Sequence, residues 1–393
     1  MPSPSHSRNN GSLRVAVVGA GIIGLSAALE MRARGAEVAV YDSGLELGGG
    51  ATMRAAGMLG AAFDWALESE QRALAALARH AGMIWPDFAA RIERLAGAGF
   101  EFSREGAIVV ARNAEELAWL GSLAAACQAR DLSVERLSAP EIRKLDGALA
   151  DGVTGGLLLP EDRQVDAQLA LQRLGAALQR SGVGLRFGRK VERIVGGQVF
   201  QMPDGEKFDR VVVATGAGAV PAFVGPRGAP LEHGLIPSVP VKGQMLALAP
   251  PENGPRHVIH ARDVYIAPKS RWVLIGSTAE RGRADTGVEP DRIAWLRARA
   301  AEVVPSLANA PQVTAWAGVR PATPDNAPMI GQTAIPGVFA ALGHYRNGVL
   351  FAPATAELIA DQVIDGKVSP LAAAFDPLRF DKLDEAPHSP TQQ

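Results

Sequence analysis

Residues Gly19-Ala-Gly21-Ile-Ile-Gly24 set three glycines at a spacing suited to holding a pyrophosphate. The first glycine permits a tight turn, the second lets backbone approach the phosphates, and the third lets a helix pack close to its strand. Free N–H groups at the start of that helix would face the anion. Asp42, eighteen residues past Gly24, stands where an acid accepts hydrogen bonds from a ribose diol and disfavours the extra phosphate of NADP. Glycines also make plain turns. The motif argues for a dinucleotide when a strand precedes it, a helix follows and an acid ends the next strand.

NAD and FAD remain. The segment Gly50-Ala-Thr-Met-Arg-Ala-Ala-Gly-Met58 is small and glycine-rich, so its backbone can pass close to a flat ligand beyond the ribose. Ala214-Thr215-Gly216 offers a second such approach. A nicotinamide enzyme has no evident use for either, whereas a flavin does. A third stretch, Gly343 to Thr355, sets one charged side chain, Arg346, among small and apolar neighbours with no acid beside it. A guanidinium costs much to bury unpaired, so Arg346 calls for an anion that the local sequence does not supply.

The elements that must position these groups follow from periodicity. Leu13 to Val18 suits a buried parallel strand, Ile22 to Arg34 a helix stopped at Gly35, and Glu37 to Tyr41 a second strand ending at Asp42. Asp64 to His80 and Asn113 to Arg130 read as helices, Ser138 to Glu141 as a capping box, and Asp166 as the cap of a helix reaching Arg180. Strands are expected over Gly184 to Phe187, Lys190 to Val195, Gln198 to Met202, Arg210 to Ala214, Val241 to Ala249, His257 to Ile266 and Trp272 to Gly276. A helix over Asp291 to Val304 precedes a last buried strand, Val338 to Leu342, and a helix to about Asp365 with Pro353 near its start. The opening β-α-β unit and the last strand fit one parallel sheet. The nucleotide domain is then discontinuous, with a mixed α+β domain inserted.

A chain of 393 residues exceeds what one core usually serves. The net charge of -1 gives no electrostatic reason for a nucleic-acid or anionic-membrane partner, and no apolar run approaches the ~20 residues a spanning helix needs. The single cysteine, Cys127, excludes an internal disulfide framework, and Met1 to Ser12 lacks the apolar core of a secretory signal, so a cytoplasmic location is expected. Cys127 reads as a small buried hydrophobe. His257 and His260, three apart in an expected strand, face opposite sides, so no metal site is expected. Arg320 has a structural alternative, an ion pair with Asp325.

GAGIIG, the acid at Asp42, RAAGML (54–59), VVVATGAGA (211–219), GVRPATPDNAPMIG (318–331) and GHYRNGVLFAPAT (343–355) occur in that order. Together they resemble the FAD-dependent D-amino-acid oxidase superfamily, and the last stretch is similar to the glycine oxidases of thiamine biosynthesis. The resemblance spans about Leu13 to Lys367. It implies an α/β fold with a Rossmann-type FAD-binding domain (13–85, 151–225, 321–383), an inserted α+β substrate domain (86–150, 226–320), and flexible tails (1–12, 384–393). Gly19, Gly21, Ile22, Ile23 and Gly24 would lie at the diphosphate, Asp42 and Ser43 at the adenosine ribose, and Val191 at the adenine. Ala51, Thr52, Ala56, Gly57 and Met58 would line the flavin, with Thr215 and Gly216 beside them. His344, Tyr345, Arg346, Asn347, Gly348, Val349 and Leu350 would wrap the pyrimidine end of the ring. His344 has a packing role as its alternative. Arg320 would clamp the substrate carboxylate, with Arg346 as a second positive group and Tyr265 as a hydrogen-bond donor. Ala279 stands where some relatives carry a larger apolar side chain, and Glu280 beside it could recognise a polar or cationic substrate end.

The resemblance implies oxidation of glycine or another small amino acid. The neutral amine pushes as hydride leaves Cα for the flavin, the imine is released or hydrolysed, and O2 reoxidises the cofactor to give hydrogen peroxide. The imine would feed thiazole assembly for thiamine. The resembled enzymes are homo-oligomers, tetramers. Rival readings are a D-amino-acid or sarcosine dehydrogenase or oxidase of the same fold using another electron acceptor, a tRNA-modifying oxidase, and a non-catalytic flavin-binding module.

Overall fold

The computed structural model describes residues 12–63 and 71–380. Two sheets organise it. The first runs in the order Met329–Gln332, Val338–Leu342, Arg210–Val213, Arg14–Val18, Glu37–Tyr41 and Gly184–Arg186. Every pairing is parallel except that of the outer strand Met329–Gln332. Its central strands are apolar throughout because helices or other chain cover both faces; Val15, Val17, Val211, Val212 and Val213 are fully buried.

The helices Ile22–Ala33 and Gly348–Asp365 pack side by side on this sheet. Arg34, ending the first, donates to Asp361 (2.6 Å) and Asp365 (3.2 Å), ending the second. The two helices therefore run the same way, and both N-termini open at the carboxyl edge of the strands, where doubly wound folds bind ligands.

A third helix, Arg72–Ala96, continues well past the expected end at His80. Leu74, Leu77, Ala81, Trp85, Phe88 and Ile92 keep one buried stripe through it. Pro86 lies inside and cannot donate to the Gly82 carbonyl one turn earlier. Arg163 Nη1 takes that carbonyl instead (2.8 Å), so the helix persists. The earlier part of the expected helix, 64–70, lies outside the described residues. The caps read from sequence are present: Ser138 with Glu141 forms a capping box, and Asp166 accepts from Gln168 N (2.9 Å) and Leu169 N (3.0 Å).

The second sheet has nine strands. Eight follow the order Glu280–Arg281, Val239–Leu248, Val273–Gly276, Tyr265–Pro268, Val258–His260, Ala107–Ala111, Gly155–Leu159 and Glu135–Ser138, and Gln312–Ala322 pairs with Val239–Leu248 as well. His257 to Ile266, expected as one strand, is a hairpin: Ile259 pairs with Ile266, and Ala261 N donates to Val264 O (2.8 Å) across the turn. Strand Gly155–Leu159 belongs to this second sheet, so the strands of the expected segment 151–225 are not confined to the first. Residues 193–231 supply a separate small sheet of five short strands, whose members Arg193–Val195 and Phe200–Gln201 are shorter than the sequence suggested.

Candidate active site

Three strands of the first sheet end together: Val18 leads into Gly19, Val213 into Ala214 and Leu342 into Gly343. Gly19 has φ 116°, a conformation that favours glycine, and a Cβ there would overlap the Ala214 carbonyl. A Cβ at Gly24 would overlap the Gly19 carbonyl. These two glycines make the turn and the close helix–strand contact. Gly21 is different, because a Cβ there would meet only Thr52 Oγ1, at 3.8 Å. The space outside Gly21 is open in front of the first turn of Ile22–Ala33, whose leading N–H groups have no acceptor within the helix. Of these, Ile22 N donates to Thr52 Oγ1 (3.2 Å).

Asp42 Oδ2 accepts from Ala20 N and Oδ1 from Gly44 N, each at 2.7 Å. A carboxylate has about four acceptor positions, so capacity for a diol remains. Ser43 beside it is exposed. Arg189 N donates to Asp42 O (2.8 Å), which brings Val191 against Ala39 and Tyr41 next to the same strand end. Further along, Ala51–Arg54 is a 3-10 turn with Thr52 buried. Ala56 and Gly57 are buried and Met58 half-buried. Gly57 (φ 75°) lies so close to Val165 that a Cβ would overlap its carbonyl, and Val165 N donates to Gly57 O (2.8 Å). Lys269 braces this contact from below, donating to Gln164 Oε1 (2.6 Å) and Val165 O (2.8 Å), and burial pushes its ammonium down to about 7. Across the edge, Thr215 and Gly216 are half-buried, and a Cβ at Gly216 would meet nothing within 4 Å.

The last helix begins at Gly348, so the N–H groups of Gly348, Val349 and Leu350 form its first turn. Tyr345 takes a left-handed conformation (φ 49°), and its N–H donates to Pro321 O (2.8 Å), hooking this stretch to the strand that carries Arg320. His344 is buried with Nε2 3.0 Å from Thr355 Oγ1, and burial pushes it down to about 3. It is neutral and packs locally. Two converging helix N-termini, an acid with spare acceptor positions and Cβ-free openings at Gly21 and Gly216 fit a dinucleotide cofactor.

The second sheet supplies side chains. Arg320 pairs in register with Val241 and lays its guanidinium across Gly243, where any Cβ would overlap it. Tyr265 does the same over Gly276, its register partner. Both glycines lie inside strands, where the absence of a side chain marks close approach of another group. Arg320 Nη1 donates to Thr278 O (3.1 Å) and Nη2 to Ser277 Oγ (2.6 Å). Among the described residues it forms no ion pair. The alternative partner Asp325 is held instead by Arg379 (2.8 and 3.0 Å). Burial pulls the Arg320 guanidinium below its usual range; Tyr265 and Tyr345 oppose this and Arg346 adds to it, so all four groups share one neighbourhood. Arg320 nonetheless keeps a partly accessible surface, as a group at the bottom of a cleft does.

Some expectations change. Arg346 is exposed, and its charge is felt at Arg320 and His260. Glu280 is engaged within the fold: Gln244 Nε2 (3.0 Å), Thr278 Oγ1 (2.9 Å) and Arg283 take three of the about four acceptor positions of its carboxylate. His257 contacts Asp146 (3.1 Å), whereas His260 stacks on Phe63 at 3.8 Å. Cys127 is fully buried, and burial pushes its thiol up to about 11. Among the described residues no group of three or more His, Cys, Asp or Glu could hold a metal, and no helix is long and apolar enough to cross a membrane. Gly243, Gly276, Ser277 and Thr278 were not picked out as site residues. Their signal in the sequence is a glycine within each of two apolar strand runs.

This arrangement defines a dinucleotide-dependent redox enzyme, a backbone cradle facing a side-chain clamp. The chain belongs to the FAD-dependent oxidoreductase family termed DAO, whose model matches residues 14–362. It is an enzyme of this family, and FAD is its cofactor. It is 33% identical over 358 residues to a glycine oxidase from Geobacillus kaustophilus, covering 89% of this chain and 92% of that one. It is 31% identical over 382 residues to the bifunctional protein ThiO/ThiG of a Nostoc species, with 94% of this chain and 55% of that protein covered. The chain thus spans about half the length of such bifunctional relatives. The crystal structure of the Geobacillus glycine oxidase superposes with a TM-score of 0.83 at 31% identity over 94% of this chain and 99% of that one. An iminodiacetate oxidase from a Chelativorans species follows at 0.78 and 25% over 93% and 99%.

Proposed function

We propose that this enzyme oxidises a small amino acid, glycine or a relative with a short substituent, at its Cα–N bond. One observation carries the reading: Arg320 is a deep guanidinium with no carboxylate partner among the described residues, seated beside Tyr265 at the mouth of the cofactor cradle. A planar fork of this kind matches a carboxylate in two-point geometry, which an ammonium does not. The likeness to glycine oxidases at about one-third identity supports the small substrate.

In this reading Arg320 holds the substrate carboxylate, and Tyr265 donates its phenol to the same group. Arg346 raises the positive potential from the rim. With the carboxylate fixed, the Cα–H bond has one orientation toward the segments 51–58 and 343–350. Bound FAD supplies the acceptor for the two electrons removed. The chain's own contribution is positioning and exclusion of water, and no side-chain acid or base is required at Cα. We extend the proposal to O2 as final acceptor, with hydrogen peroxide as product, and to supply of the imine for thiazole synthesis.

Arg320→Ala tests it. The variant should stay yellow, because the hydrogen bonds of Arg320 go to Thr278 and Ser277 and not to the cradle, while KM for glycine rises ~100-fold, matching loss of a charged two-point contact worth about 3 kcal/mol. Kinetics like those of the parent would remove Arg320 as the clamp. Anaerobic bleaching of the holoenzyme by a panel of small amines, followed by admission of air, would rank the substrates and test O2 directly.

A further inference from the structure

The Arg320 fork depends on a loop, and the loop depends on one buried amide. Arg320 donates to the Thr278 carbonyl and the Ser277 hydroxyl, both just past strand Val273–Gly276. Thr278 is fixed by Gln244 on the neighbouring strand: Gln244 N donates to Thr278 Oγ1 (3.0 Å), and Thr278 N to Gln244 O (3.3 Å). The Gln244 side chain is completely buried, and every polar position on it is used. Nε2 donates to Glu280 Oε1 and to Glu289 Oε2, each at 3.0 Å, and Oε1 accepts from Glu289 N (2.7 Å). Thr278 Oγ1 closes the circuit by donating to Glu280 Oε1 (2.9 Å). The Gln244 side-chain amide thus ties together both ends of the segment 280–289, and it reaches Thr278, whose carbonyl holds Arg320, through the Glu280 Oε1 that both bond.

The neighbours strengthen this bracket. Lys242, two residues earlier on the same strand and face, is also fully buried and donates to Asp285 (2.6 Å) in the middle of the segment. Arg283 spans Glu280, Asp285 and Glu289 from the solvent side. Gly243 lies between these two anchors with its Cβ side turned to Arg320. Buried polar networks of this kind hold one geometry when every member is satisfied. A glutamate at 244 would add a third carboxylate beside Glu280 and Glu289, and an apolar residue would take one donor from each of those carboxylates and leave the Glu289 N–H without its acceptor.

We propose that the Gln244 side chain is a positioning group for substrate binding: through Glu280, which also holds the Thr278 hydroxyl, it aims the Arg320 fork. The inference rests on the reading of Arg320 as the carboxylate clamp. Acetate serves as a probe, a carboxylate that cannot react, with its dissociation constant read from perturbation of the visible spectrum of the holoenzyme. Gln244→Met should weaken acetate ~10-fold and raise KM for glycine alike, with kcat changed less than ~3-fold. The double variant with Arg320→Met should bind acetate no more weakly than Arg320→Met alone, because both changes disable one clamp.

Strict additivity, or unchanged acetate affinity in Gln244→Met alongside its loss in Arg320→Met, would overturn the inference and leave the functional reading standing. Unchanged acetate affinity in Arg320→Met would overturn both. Should Gln244→Met fail to fold, Thr278→Val and Thr278→Ser take its place. The valine variant should weaken acetate and the serine variant should restore it, and equal behaviour of the two would end the proposal.

Discussion

The two sides of this active site are made of different material. Along the six-stranded sheet the groups offered to a ligand are backbone: helix N-termini at Ile22 and Gly348 and the Cβ-free openings at Gly21 and Gly216. Along the nine-stranded sheet they are side chains, Arg320 and Tyr265, laid over glycine gaps, with the loop that holds Arg320 bracketed by Gln244 and Glu280. A backbone cradle is set by local φ and ψ, so a few adjacent residues determine it. A side-chain clamp is set by register between strands, Val241 with Arg320, far apart in sequence, and Tyr265 with Gly276 on the next strand. The cradle should therefore fail by losing its fold or its cofactor, and the clamp by losing its substrate.

The sharpest break is within GAGIIG. Gly24→Val places a Cβ onto the Gly19 carbonyl, which cannot move without the first strand, so the variant should not accumulate as folded protein. Gly21→Val meets only Thr52 Oγ1, at 3.8 Å, and should fold with the melting temperature of the apoprotein within about 3 °C, yet purify without yellow colour. Two adjacent members of one motif would then separate architecture from cofactor binding. A yellow Gly21→Val protein would place the diphosphate elsewhere.

The clamp side should give the reverse pattern. A methyl at Gly243 meets the far end of the flexible Arg320 side chain, and one at Gly276 meets the Tyr265 ring. In both cases the three nearest atoms belong to that side chain. Gly243→Ala and Gly276→Ala should therefore fold, keep FAD and raise KM for the substrate ~10-fold or more as the displaced groups lose their aim. Loss of FAD with parental KM in the residual holoenzyme would mean that the two sides are one structural unit.

The same distinction governs what the sequence disclosed. GAGIIG, Asp42 and the stretch after Leu342 could be read directly, since a glycine turn, a strand-end acid and a helix start are local features, and the structure gathers all of them at one sheet edge. Arg320 and Tyr265 were named through resemblance. The glycines beneath them and the Gln244 bracket were missed, because nothing local in VKGQ distinguishes a buried amide that ties a distant loop from an ordinary strand residue. Helix Arg72–Ala96 outruns the expected end at His80, and its continuation past Pro86 rests on Arg163, 77 positions later, which satisfies the Gly82 carbonyl. Glu280 looked available for the same reason: its three partners come from Gln244, Thr278 and Arg283, and only the fold brings the first of these near.

The smallest effect compares one buried histidine from each side. Burial pushes His344, beside the cradle, and His260, in the second sheet, each down to about 3, and Arg346 adds to the push on His260. Unfolded, each binds a proton near pH 6.5. Between these values the unfolded chain holds more protons than the folded one. Stability from both groups is therefore complete above about pH 6.5 and is lost on acidification toward pH 3, by up to about 1.4 kcal/mol per pH unit for each histidine. His260→Phe keeps an aromatic ring against Phe63 and deletes a buried Nε2 that has no partner among the described residues. Its denaturation midpoint should match or exceed the parent's at pH 8 and fall less steeply by pH 5. His344→Phe should show the same shallower slope but start lower, by about 1 kcal/mol at pH 8, because the Thr355 hydroxyl loses the imidazole. A parental slope in both variants would mean that these histidines carry charge in the folded enzyme, and an equal starting point at pH 8 would mean that the bond to Thr355 contributes nothing to holding the turn before the last helix.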